Sequence, residues 1–217
     1  GPGARRSSRR TPAEYAGASS RSTDAPPFRA DSELRGAWGF TNGRWTEHPE
    51  WLTGLEAGGK PVQLWAGGRD RGARWRDIDG DGRCELIVGN ESQNAVLGWN
   101  PQLRRWESRG FGLPPGTSIV NAEGFDAGLR FVDINRDGLE DVLFSDEDRY
   151  SLHLFIPKPV LGWGIGWTRE VMAEPRTRDS TIPPITLKQA PRNNGMWVRH
   201  HTRSEEHTSE LQSRGLI

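Results

Sequence analysis

The chain is predicted to be all-β and built from a repeated hairpin unit, on three observations. Two nine-residue segments of one design stand in matching surroundings: Asp-Ile-Asp-Gly-Asp-Gly-Arg-Cys-Glu at 77–85 and Asp-Ile-Asn-Arg-Asp-Gly-Leu-Glu-Asp at 133–141. Each is followed by two short apolar runs, Leu86-Ile-Val88 then Ala95-Val-Leu97, and Val142-Leu-Phe144 then Leu152-His-Leu-Phe155. No long segment carries a 3.6-residue apolar period, so little helix is expected. Runs apolar at consecutive positions, bounded by Gly, Asn, Asp and Ser, read as strands covered on both faces. First residues at 77 and 133 give a repeat of 56 residues, slightly above the ~40–50 of a propeller blade. The expected fold is an incomplete β-propeller, two antiparallel blades plus part of a third, with disordered ends. A closed propeller needs about 4–8 four-stranded blades, more than this length supplies.

In chain order, residues 1–36 are rich in Arg, Ser, Ala and Pro and carry no apolar run. Arg5, Arg6, Arg9 and Arg10 form a small basic cluster. Without interleaved aromatics it reads as a solvated, disordered lead-in rather than a nucleic-acid arm. No initiator methionine or signal-peptide core is present, so a missing upstream piece is expected. Residues 37–175 are the propeller segment. Trp75 and Phe131 each stand two residues before a loop's first aspartate, and Gly89-Asn90 and Ser145-Asp146 end the strands that follow. The excess over a compact blade is assigned to the Gly/Pro-rich connection 111–125. Residues 176–202 read as a Pro/Asn/Gly-rich linker and 203–217 as a tail foreign to the fold.

The two loops carry the chemistry. Each places an oxygen-bearing side chain at positions one, three, five and nine and a glycine, Gly82 or Gly138, at six. A chain wrapping Ca²⁺ supplies six to eight oxygens at roughly 2.3–2.6 Å from alternate side chains and a backbone carbonyl. Glycine takes the sharp turn that a β-carbon resists. Arg83 and Leu139, at position seven, offer only their carbonyls. Ordinary Asp/Gly turns are the bland alternative; two copies in matching context favour metal.

This D-x-[DN]-x-D-G-x-x-[DE] loop followed by a hydrophobic strand resembles the FG-GAP/VCBS-type repeats of calcium-binding β-propellers, over about residues 61–171. The resemblance implies a Ca²⁺ cofactor held in the first loop by Asp77, Asp79, Asp81, the Arg83 carbonyl and Glu85. In the second loop it implies Asp133, Asn135, Asp137, the Leu139 carbonyl and Asp141. Glu85 departs from the usual aspartate and Asn135 from a carboxylate, leaving four acids in the first loop and three in the second. Ligand charge tunes affinity, so the first loop is expected to bind more tightly unless the longer arm of Glu85 spoils its fit. Calcium of this kind suits millimolar extracellular concentrations, hence an extracellular or periplasmic location.

A fainter resemblance runs from Gly128 through Ile182-Pro-Pro-Ile185 to Asn193-Asn-Gly-Met-Trp197. That stretch looks like the segment preceding the propeller of secreted, haem-linked sugar or alcohol dehydrogenases of planctomycete-type bacteria. Their C-x-x-C-H haem motif is absent, because Cys84 is the only cysteine. Residues 203–213 resemble the conceptual translation of a sequencing adapter, and such processing scars belong outside fold reasoning; a reading frame cut short at its C-terminal side follows.

Twenty-nine basic and 29 acidic residues cancel, leaving no electrostatic case for nucleic acid or an acidic membrane. Ten tryptophans are many for this length. Trp65, Trp75, Trp99, Trp106, Trp163 and Trp167 read as blade packing, with a carbohydrate-stacking surface as the alternative. Of the histidines, His153 alternates with leucines and reads as a side chain on a blade face, while His48 and the pair His200-His201 have no catalytic pattern around them. Asp146-Glu-Asp148 reads as a solvated turn. Gly162-Trp-Gly-Ile-Gly166 precedes no helix, so no nucleotide fingerprint is supported. The expectation is a non-catalytic, calcium-binding structural or interaction module of a larger exported protein. Its partners would be the rest of the parent propeller and an unidentified protein or carbohydrate. The competing expectations are the leading region of a haem-linked dehydrogenase and an adhesion-type module.

Overall fold

The computed structural model describes residues 28–30, 35–187 and 194; the expectations for residues 1–27, His200, His201 and the tail at 203–217 fall outside these. Strands β1 (Phe28–Ala30), β2 (Arg35–Thr41) and β3 (Arg44–Glu47) form a three-stranded antiparallel sheet. β1 and the start of β2 lie N-terminal to residue 37. A 3-10 turn, Pro49–Leu52, leads into two small ribbons. These pair β4 (Glu56–Ala57) with β5 (Lys60–Pro61), and β6 (Trp65–Ala66) with β7 (Arg69–Asp70).

Two four-stranded meanders follow. The first is β8 (Ala73–Arg76), β9 (Glu85–Gly89), β10 (Asn94–Asn100) and β11 (Arg105–Ser108). The second is β12 (Leu129–Val132), β13 (Asp141–Ser145), β14 (Arg149–Ile156) and β15 (Gly166–Pro175). Each strand pairs antiparallel with the next. No sheet closes on itself, and the described residues contain no α-helix. The arrangement is the all-β, incomplete, propeller-like architecture that the repeat implies. No helix of the described residues is long and apolar enough to cross a membrane.

The unbroken apolar runs are explained by stacking. All five residues of β9 and all five of β13 are buried, and alternate side chains enter different cores, as the pleat requires. Ile87 joins Val142, Phe144, Phe155 and Trp167 in the core between the meanders. Leu86 and Val88 point the other way, onto Leu55, Val62 and Trp106. On the far side of β13, Leu143 packs with Val132 and Ile185. The Ile185 N–H donates to the Ser145 carbonyl at 3.0 Å, just as the Ile119 N–H donates to that of Gly89 at 3.0 Å one repeat earlier. Ile182 and Ile185 lie within the stretch read as a linker.

Repetition extends to the turns. Asn90 Oδ1 accepts the N–H groups of Ser92 and Gln93, and Asp146 Oδ1 those of Asp148 and Arg149. These are side-chain-closed turns of the kind that favours Asn and Asp. Asp146 therefore closes a hairpin. Asp70 takes both nitrogens of Arg74 and the N–H of Gly72, and Asp126 does the same with Arg130 and Gly128. This forked clamp fixes the entry to β8 and to β12.

The tryptophans divide. Trp106 and Trp167 are buried and Trp99 packs against the core of Leu55, Leu86 and Trp106, so blade packing describes these three. Trp65, Trp75 and Trp163 remain exposed by more than a third. Trp163 is not in a strand of the meander but in the β14–β15 connection, bridged to Val160. A Gly-flanked tryptophan in a connection has no facing sheet to cover it.

Candidate metal centre

Both loops join the first two strands of a meander, 77–84 between β8 and β9, and 133–140 between β12 and β13. Position six has the left-handed backbone that the glycine allows, with φ of 86° at Gly82 and 88° at Gly138. Position four is left-handed as well: Gly80 has φ 72° and Arg136 has φ 65°. A side chain there costs on the order of 1 kcal/mol or more, so the second loop closes under strain that the first avoids. Sequence reading passed over this position, although the Gly/Arg difference was its visible signal.

In the first loop Asp77, Asp79 and Glu85 bring one carboxylate oxygen each to within 4.8 Å of one another. Oxygens about 2.4 Å from a shared ion lie no more than ~5 Å apart, so the spacing fits one cation. Asp77 Oδ2 accepts the Gly82 N–H at 3.0 Å, while Asp77 Oδ1 is buried with no hydrogen-bond partner. A buried carboxylate oxygen left bare is costly. A hard cation would satisfy it, and three carboxylates at this spacing are a donor set that could hold one. Asp81 lies outside the three-acid group and accepts the Arg83 N–H at 2.8 Å, a contact that places residue 83 across the turn.

The second loop repeats the first loop's contacts from positions six, seven and two onto positions one, five and nine, and adds bonds from the Asp137 N–H, the Asn135 amide and the Phe155 N–H to its carboxylates. Asp133 accepts the N–H groups of Asp137 and Gly138. Asp137 accepts the Leu139 N–H and the Asn135 amide. Asp141, fully buried, accepts the N–H of Ile134 and, from β14, that of Phe155, both at 2.9 Å. The Leu139 side chain packs against the inter-meander core. Among the described residues a three-acid cluster forms in the first loop and not in the second.

Electrostatics follow from this crowding. Burial, then the charge of Asp79, pushes the Glu85 carboxyl up to about 7, against a 2.8 Å bond from Arg109 Nη2 to its Oε1. Burial also raises Asp79, and it raises Asp141 against its backbone hydrogen bonds. The Cys84 thiol is raised by burial and then by Asp77, Glu85 and Glu140, so it stays protonated. The two loops lie side by side: a β-carbon on Gly80 would stand 3.9 Å from the Gly138 carbonyl oxygen. Arg76 Nε reaches Glu140 Oε2 at 3.8 Å between them. Neither the Glu85–Arg109 pair nor this adjacency was visible in the sequence, because the partners are brought together only by strand pairing and sheet stacking.

No curated protein and no solved structure matches the chain. A family model does: residues 77–144 match the FG-GAP-like repeat, from the first residue of the first loop, through the whole second loop, to Phe144 in β13.

Proposed function

We propose that this chain is a calcium-stabilised, non-catalytic propeller segment that serves a larger exported protein as a structural and interaction module. The observation that carries the reading is the convergence of Asp77, Asp79 and Glu85 around a buried, unpartnered Asp77 oxygen. The metal acts on the fold: it neutralises clustered carboxylates, lets the 77–85 turn close, and pins β8 to β9. Export is consistent with the millimolar calcium that such loops use outside the cell.

Calorimetric titration tests the ranking of the two loops. Asp77→Ala is expected to abolish the tighter calcium-binding event and Asp133→Ala the weaker one. The three-acid cluster and the relaxed Gly80 backbone favour the first loop, and the strained Arg136 turn disfavours the second. A larger loss from Asp133→Ala reverses the ranking.

A pH series tests the role of Glu85. An acid whose folded pKa stands above its unfolded value of 4.5 holds its proton more tightly in the folded state. Without metal, its contribution to stability therefore falls as pH rises from about 4.5 to about 7. Calcium needs the carboxylate, so binding expels that proton. Apparent affinity is expected to rise about tenfold per pH unit below about pH 7 and to flatten above it. Glu85→Gln should weaken binding and remove most of the slope. A wild-type affinity constant across that range contradicts the assignment.

A further inference from the structure

Away from the metal loops, a cleft of about 350 Å³ opens where the two meanders meet. Phe111 and Pro114, in the connection after β11, form one side of it, and His153, Trp167, Thr168 and Glu170 of β14 and β15 form the other. The size lies at the small end of the ~300–1,000 Å³ range of ligand pockets.

His153 is the informative residue. It is 94% buried, being only 6% exposed, and its ring makes no hydrogen bond to any described residue. Among the described residues, the buried side-chain atoms that lack a partner do not include the His153 nitrogens, so these reach the cleft that the residue lines. Burial holds its pKa below the ordinary histidine value, so at neutral pH the ring is uncharged and offers one N–H donor and one bare nitrogen. Glu170 is its cross-strand neighbour, which places a carboxylate beside it. Thr168 Oγ1 donates to the Gly164 carbonyl at 2.7 Å and keeps its lone pairs as acceptors. Phe111 is held edge-on by Phe155 and Trp167 at 5.8 and 5.9 Å, a rigid apolar wall. No lysine or arginine lines the cleft, which disfavours an anion.

The geometry points to a binding site for a single sugar ring, with its C–H face against Phe111 and its hydroxyls on His153, Thr168 and Glu170. Hydroxyl groups both donate and accept, which is what a neutral imidazole beside a carboxylate and a threonine oxygen requires. None of these residues belongs to either metal loop, so the site does not depend on the calcium reading.

Saturation-transfer NMR on the full chain in calcium buffer tests it, with the methyl pyranosides of glucose, galactose and mannose as separate probes. Transfer to the ring protons of at least one is expected, with a Kd on the order of millimolar. His153→Leu keeps the bulk and removes both nitrogens, and should weaken binding about tenfold without lowering the melting temperature. Thr168→Val, at an exposed position, should weaken it too and guards against a folding artefact. No transfer from any of the three sugars, or transfer undiminished in both variants, overturns the proposal. So does binding of tetramethylammonium in place of sugar, which would make the cleft a cation site.

Discussion

Removing calcium with excess EDTA is expected to lower the melting temperature by about 5–10 °C relative to a sample in about 10 mM calcium. The first loop holds Asp77, Asp79 and Glu85 together with an unpartnered Asp77 oxygen, and without a cation those charges repel. A ligand that binds only the folded state stabilises it by about 2.7 kcal/mol at a hundredfold excess over Kd. For a folded unit of roughly 150 residues each kcal/mol is about 2–4 °C. Magnesium is expected to substitute poorly, since it demands near-ideal octahedral geometry and gives up its waters reluctantly. Melts followed by near-ultraviolet circular dichroism in calcium, magnesium and EDTA measure the effect. Superimposable curves in calcium and EDTA would sink the metal assignment.

Trp106→Ala should do still more damage. Trp106 is 1% exposed, tilts against Trp75 and Trp99 with ring centroids 5.4 Å away in each case, and donates from Nε1 to the Trp51 carbonyl at 2.9 Å. It joins β11 to the 3-10 turn ahead of the first ribbon and fills a core with Leu55, Leu86 and Leu97. Truncating a buried tryptophan costs about 3–5 kcal/mol, here with the Trp51 carbonyl left unpaired as well. The urea midpoint should fall accordingly, with the melting temperature down by about 10 °C or more. Trp65→Ala is the matched control. That residue is 47% exposed in a two-residue strand, and its loss should cost below about 1 kcal/mol. Equal shifts for the two variants would mean that burial does not rank the tryptophans.

The contrast between Trp106 and Trp65 marks where sequence reading stops. Both sit among short strands and both were read as blade packing. Only the stacking of one sheet on the next decides which indole is covered, because an isolated strand exposes both its faces. The repeated clamp of Asp70 on Arg74 and of Asp126 on Arg130 is a different kind of omission. Its Asp-x-Gly-x-Arg pattern recurs in the sequence at the 56-residue spacing of the loops and is legible there, although it lies outside the acidic motif. His153 lies on a strand, as its alternation with leucines implies, yet the cleft it lines needs Phe111 and Pro114 from the connection between the two meanders. No local pattern brings them together.

By itself the sequence determined the strands that follow the two acidic loops, their hairpins and the left-handed glycine at position six of each loop. These depend on residues a few positions apart: an unbroken apolar run bounded by turn residues, a glycine at a left-handed position, an Asx side chain closing its own turn. Tertiary structure decided which acids come within reach of one another, why Glu85 holds its proton to about pH 7, and which aromatic rings are buried. Those outcomes depend on desolvation and on charges contributed by distant strands, and burial exists only once the sheets have stacked.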